Sequence, residues 1–176
     1  KENLVGNLNE GWTCAKYLLE FERGNAYSPA LKGAVRNLKS ISERQRVGYG
    51  GGVSKSTGFD RKLSEVEIDI LSLEYTELRI LGALSAGQNV GPESSMLKTR
   101  GTELQQSVTE LAVDLFAETS FPSDESSSSD GDNFVPVFDK ESNGVMQDYF
   151  NTRKVSIYAG SNEIQRNIMS KLVLGF

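Results

Sequence analysis

Ile157-Tyr158-Ala159-Gly160-Ser161-Asn162-Glu163-Ile164-Gln165-Arg166 lies close to the end of the 176-residue chain, and the rest of the sequence converges on it. An apolar Ile-Tyr pair runs into a glycine that relaxes the backbone, and a helix starts immediately after it. Ser161 or Asn162 can cap that helix by accepting one of its free N–H groups. Ile164, Ile168 and Leu172, at i, i+4 and i+8, are expected to form its buried stripe. A helix start beside a flexible glycine is suited to hold an anion or a polar cofactor edge.

Outward from this stretch, the chain reads as a succession of helices. Trp12, Ala15, Leu18 and Leu19 mark a helical face in the first segment, with Tyr17 and Phe21 on a neighbouring one. Gly24-Asn25 weakens that helix and Pro29 opens the next run, from Ala30 to about Val47, with Leu31, Ala34, Val35 and Leu38 apolar. The two are expected to make one long element with a bend or irregular turn near 24 to 28. Residues 48–58, GYGGGVSKSTG, carry Lys-Ser, but Ser54 stands where a phosphate-binding loop needs glycine, and no strand precedes it, so they read as a linker.

A helix over about Asp60 to Ala86 carries one stripe of Leu63, Val66, Ile70, Leu73 and Ile80, and a second of Leu71, Tyr75 and Leu78. Apolar on more than one face, it is either central or shared with another subunit. Gly87–Gly91 breaks the chain, and Pro92-Glu93 starts a helix with an apolar stripe of Leu97, Leu104, Val108, Leu111 and Leu115. Gly101 within it is expected to mark a close helix–helix approach rather than a break. Residues 120–133 are polar and of low complexity, the apolar Phe134–Phe138 can pin them back, and two final helices, about 143–157 and 161–174, end at Gly175. Helices without alternating strand patterns predict an all-α, antiparallel four-helix-type bundle in a single domain, 1–176.

Composition narrows the chemistry. The chain contains no His, which removes an imidazole base or a His-ligated metal from its own resources, and no metal site is expected. A single Cys14 allows no internal disulfide, in keeping with a reducing cytoplasm. A net charge of -5 gives no nucleic-acid footprint, and no apolar run reaches membrane-span length.

The wording Ile157-Tyr158-Ala159-Gly160-Ser161-Asn162-Glu163-Ile164-Gln165-Arg166, followed by Val173-Leu174-Gly175, resembles the C-terminal signature of the flavin-dependent acyl-CoA dehydrogenases. Gly6-Asn7-Leu8-Asn9-Glu10-Gly11-Trp12, Leu18-Leu19-Glu20-Phe21-Glu22-Arg23 and Gly91-Pro92-Glu93-Ser94-Ser95 resemble other parts of the same domain, in the family's order. The resemblance implies the C-terminal domain of a longer protein whose N-terminal helical domain and middle β-domain are not in this sequence. It also implies FAD as cofactor, an acyl-CoA substrate, an electron-transfer-flavoprotein-type acceptor, and a homo-oligomer or a hetero-oligomer with a family member.

In many members of that family a Glu follows the signature Tyr and removes the substrate's α-proton; here that position is Ala159. Two readings remain: an inactive partner subunit, or a base supplied from elsewhere. Isovaleryl- and long-chain-type members carry the base on the first long helix, immediately before an Arg, and Glu22-Arg23 matches that arrangement. A desolvated carboxylate serves because burial raises its pKa toward that of the developing enolate. On this resemblance Glu22 is the base, Arg23 holds substrate or neighbouring carboxylates, and Glu20, on another face, is solvated. Tyr158 and Gly160 line the acyl site, the Ala159 backbone N–H polarises the thioester carbonyl, and Ser161 and Glu163 lie near the flavin. Two family features are missing. Arg61-Lys62-Leu63-Ser64 stands where an Arg-x-x-Phe-Gly pattern usually meets the flavin's adenine half, and the family's Gly-Gly loop is replaced by the serine-rich stretch.

Overall fold

The computed structural model describes residues 3–22, 26–48, 57–88, 91–121 and 141–175, and at 19–22, 45–48, 57 and 118 the backbone alone. Among the described residues six α-helices follow one another: α1 (Gly11–Glu22), α2 (Ser28–Gly48), α3 (Thr57–Ser85), α4 (Glu93–Phe116), α5 (Val145–Thr152) and α6 (Asn162–Met169). Short 3-10 turns extend α4 over Ala117–Ser120 and α5 over Arg153–Ser156, and a π turn over Ser170–Leu174 extends α6. The described residues contain no strand, and none of their helices is long and apolar enough to cross a membrane.

α2, α3 and α4 form the core because their stripes face one another. Leu31, Val35, Leu38 and Ile41 of α2, Leu63, Ile70, Leu73 and Ile80 of α3, and Leu97, Leu104, Val108, Leu111 and Leu115 of α4 are all buried in one cluster. Each such side chain removed from water stabilises the bundle by about 1.5–3 kcal/mol. Ion pairs fix the directions: Lys32 with Glu74 and Lys39 with Glu67 run α2 against α3, while Arg100 with Asp69 and Lys62 with Asp114 run α3 against α4. The expected antiparallel bundle is therefore present. The second stripe of α3 faces outward, with Leu71, Tyr75 and Leu78 exposed alongside Ile68, Leu81 and Leu84.

α1 ends at Glu22 and α2 begins at Ser28, with residues 26 and 27 non-helical and Pro29 in its first turn, in keeping with the irregular-turn alternative rather than with a bend. Residues 23–25 between them lie outside the described residues, as do the linker 49–56 and the stretch 122–140. The stripe expected for α6 is corrected. Ile164 and Leu172 are exposed, and the residues of α6 that point inward are Asn162 and Gln165. α6 sits on a polar strip of α4, so its inward face is amide rather than aliphatic.

That strip leads to the candidate site. α4 presents Lys98, Thr102 and Gln106 to the chain that returns after α5. Arg153 closes the return: its guanidinium donates to the Gln106 carbonyl at 3.0 Å and to Thr109 Oγ1 at 2.8 Å, and pairs with Glu110. It also stacks 4.4 Å from the centre of the Tyr149 ring. Residues 153–156 are thereby laid along α4, and the turn at 157–161 is presented at its N-terminal half.

Candidate functional site

The turn between the 153–156 segment and α6 is unusual in its backbone. Ala159 has φ +55° and Gly160 has φ +84°, two successive left-handed residues. Glycine takes this conformation freely, whereas an alanine there is strained by about 1–2 kcal/mol. Ile157 and Tyr158 donate their N–H groups to the Lys154 carbonyl, but among the described residues nothing accepts from the N–H of Ala159 or Gly160. Ile157, Tyr158, Ala159 and Gly160 are all exposed. Tyr158 is 53 % exposed, which makes it a surface-facing aromatic and not a core tyrosine.

Beyond the turn, Ser161 is the N-cap of α6 and its hydroxyl accepts from the Ile164 N–H at 3.5 Å. Glu163, in the first turn of α6, is exposed. Its pKa is held below the usual carboxylate value, first by its own backbone N–H, then by the Ser161 side chain, with Arg166 and Lys98 adding to the effect. Asn162 turns inward instead: it is 4 % exposed, its Oδ1 accepts from Lys98 Nζ at 2.9 Å, and its Nδ2 donates to Thr102 Oγ1 at 3.1 Å.

The residues preceding α2 reach the same place. Tyr27 packs its ring on Gly101 of α4, where an added Cβ would lie within 2.8 Å of three ring carbons. Its pKa is raised above 10, first by burial, then by the nearby Tyr158, then by Glu77. The chain following α1 is thus anchored within electrostatic reach of Tyr158. Glu22 closes α1, but its side chain, that of Glu20, and Arg23 altogether lie outside the described residues. Tyr158, Ala159, Gly160, Ser161 and Glu163 are brought together by the turn. Asn162, expected only as a possible cap, belongs beside them, as do Lys98 and Tyr27, which were not anticipated. Two clefts elsewhere on the bundle, of 420 and 260 Å³, contain none of these residues.

A family model described as the acyl-CoA dehydrogenase C-terminal domain matches residues 9–174. The chain belongs to the acyl-CoA dehydrogenase family. A curated acyl-CoA dehydrogenase, IpdE1 of Mycobacterium tuberculosis, is 27% identical over 178 residues, covering 98% of this chain and 40% of that protein. The chain thus spans about two fifths of the curated relative it matches. Among solved structures, the ChsE4-ChsE5 complex from Mycobacterium tuberculosis superposes with a TM-score of 0.74 at 21% identity, covering 98% of this chain and 42% of that one. Butyryl-CoA dehydrogenase from Megasphaera elsdenii superposes at 0.69 with 18% identity, covering 98% and 41%. These structural likenesses establish the all-α fold, and the family match accounts for the order in which the motifs occur.

The residues present can be tested against the flavin that family members use. The Ser161 hydroxyl, at the N-cap of α6, offers a hydrogen bond to a polar ring edge. The ionised Glu163 in the first turn of α6 opposes a pyrophosphate there and suits hydroxyl donors. The turn fits the ring and sugar-alcohol end of FAD, not its phosphates.

Proposed function

We propose that this chain is the C-terminal domain of a flavin-dependent acyl-CoA dehydrogenase that forms an α,β double bond in an acyl-CoA thioester, with Glu22 as the α-proton base. The observation that carries the reading is the strained Ala159–Gly160 turn with unpaired N–H groups beside Tyr158. A backbone donor held open in a left-handed turn is suited to polarise a thioester carbonyl, which acidifies the α-proton. FAD, when bound, supplies the acceptor for the β-hydrogen as hydride.

The chain's own residues then have separable tasks. Glu22 takes the α-proton, Arg23 orients the ester, Tyr158 and Gly160 border the acyl group, and Ser161 and Glu163 meet the flavin. Ala159 cannot supply a carboxylate, so the base has to come from another element. Tyr27 supports the choice of Glu22: it lies five residues further along and near Tyr158, and five residues span at most about 18 Å. The whole protein is proposed to work in the cytoplasm, with an N-terminal helical and a middle β-domain. An electron-transfer-flavoprotein-type acceptor is its proposed redox partner. The exposed stripe Ile68, Leu71, Tyr75, Leu78, Leu81 of α3 is the proposed contact with a second subunit, its own copy or a family member. Light scattering on the full-length protein tests that contact.

The same α3 stripe, with Ala159 in place of a Glu, favours one rival: a non-catalytic partner subunit of the same family. Anaerobic addition of acyl-CoA esters to the full-length yellow protein separates the two. Bleaching of the flavin is expected for the wild type, and in Glu22→Gln flavin is retained with bleaching slowed about 100- to 10,000-fold. Unchanged bleaching in that variant would remove Glu22, and no bleaching of the wild type by any ester would leave the partner reading.

A further inference from the structure

Lys98 lies in the middle of the α4–α6 contact, 5 % exposed, with its ammonium donating to the Val155 carbonyl at 3.3 Å and to Asn162 Oδ1 at 2.9 Å. Burial lowers its pKa, and the charge of Glu163 works in the opposite direction. A lysine is seldom buried this far unless its donors are used, because desolvating an ammonium is costly. The two acceptors stand on either side of the 156–161 turn. Val155 is the last buried residue before it and Asn162 the first buried residue after it, while the four residues Ile157–Gly160 are exposed.

The chemistry of the amide fixes how Asn162 is held. Lysine only donates, so Oδ1 must face Nζ, and Nδ2 is then directed at Thr102 Oγ1, which in turn donates to backbone carbonyls one turn back on α4. One rigid helix thus holds both ends of the turn through a single cation. Exposed side chains do not hold the turn from within, and Ala159 pulls against it by its left-handed strain. We infer that Lys98 is a positioning residue which, through Val155 O and Asn162 Oδ1, keeps the Ala159–Gly160 N–H groups aimed at the thioester carbonyl. Its catalytic consequence rests on the dehydrogenase reading; its effect on the turn does not.

The test uses the full-length flavin-loaded protein with Lys98→Met, which fills the same volume without donors, and Lys98→Arg, which keeps charge and donors. Hydrogen exchange of the Ile157 and Tyr158 amides, which donate to the Lys154 carbonyl, is expected to quicken in Lys98→Met, with flavin content and thermal midpoint close to wild type. A misplaced donor is expected to lower kcat about 10- to 100-fold while KM for the ester changes far less. Lys98→Arg is expected to restore most of both. Unchanged exchange at 157 and 158, or a rise in KM with kcat intact, overturns the inference. If Lys98→Met does not fold, Asn162→Leu carries the test, since it removes the acceptor that Lys98 uses beyond the turn: faster exchange at 157 and 158 supports the inference and unchanged exchange overturns it. A wild type inactive on every ester sinks the dehydrogenase reading, yet the exchange measurement still decides the role of Lys98.

Discussion

Tyr27 lies with its ring against the bare backbone of Gly101, so that the residue before α2 is inlaid into α4. The contact is possible because Gly101, buried in mid-helix, leaves the room that any side chain would fill. Gly101→Ala is expected to destabilise the protein, even though alanine is the better helix former by about 1 kcal/mol. Forcing a methyl group into an occupied site costs about 1–3 kcal/mol, and the loss is increased by displacement of Tyr27. Thermal melting checks this, and a stabilised Gly101→Ala variant would mean that Tyr27 does not dock as described.

The hydroxyl of Tyr27 gives a second check on the same geometry. Burial comes first in raising its pKa above 10, and Tyr158 and Glu77 add to it. The sign follows: between pH 10 and the raised value the unfolded chain loses this proton while the folded protein keeps it. The stability associated with Tyr27 is therefore complete below pH 10 and declines as pH rises through the folded value. Tyr27→Phe removes this slope, so the difference in stability between wild type and variant should shrink with rising alkalinity. Ultraviolet titration of Tyr158→Phe should show Tyr27 ionising at lower pH than in the wild type, yet still above 10. An unchanged titration would separate the two tyrosines.

Glu77 links α3 to the start of α2. Its carboxylate accepts from the Tyr27 N–H at 2.6 Å, from the Ser28 N–H at 3.1 Å and from the Ser28 hydroxyl. An acidic side chain from another helix therefore does what an N-cap residue does locally, and it also opposes the positive end of the helix dipole. Glu77→Ala should cost about 1–2 kcal/mol, by analogy with loss of a strong cap. Glu77→Gln, which retains one acceptor, should cost less. Chemical denaturation measures both, and equal losses would assign the effect to packing alone.

The helices and the core of this bundle were legible in the sequence because apolar spacing is a local signal. Leu97, Leu104, Val108, Leu111 and Leu115 recur at helical intervals and are all buried together. The close approach at Gly101 was legible too, though its partner is an aromatic residue outside any helix. The inward face of α6 was not. Ile164 and Leu172 have the right period, but α4 offers that helix Lys98 and Thr102, so the amides of Asn162 and Gln165 turn in and the aliphatic side chains turn out. A hint was present in the run Ser94, Ser95, Lys98, Thr99, Thr102, which puts small hydroxyls around one lysine on a helix otherwise built for core packing. The cap of α6 was local, and Ser161 was one of the two residues the sequence offered for it. The contacts of Glu77 and Lys98 join residues far apart in the chain, which no local pattern reveals.

Gly160 tests the turn itself. With φ +84° it occupies the left-handed region, and a Cβ added to it would lie 2.6 Å from Nε2 of the buried Gln165. Gly160→Ala therefore meets two obstacles: a backbone strain of about 1–2 kcal/mol and a collision with an amide that has little space to withdraw. Ala159, already left-handed, cannot absorb the change by taking a more relaxed conformation without moving its own N–H. The expected outcome is a modest loss of thermal stability with a disproportionate loss of ester-dependent flavin bleaching in the full-length protein, because the displaced atoms are the backbone donors. Gln165→Ala makes room for the new methyl group, so the double variant should recover part of the stability lost by Gly160→Ala. It should not recover the bleaching rate, since the backbone strain remains. A double variant with both restored would place the whole defect in the Gln165 collision and none in the direction of the Ala159 and Gly160 N–H groups.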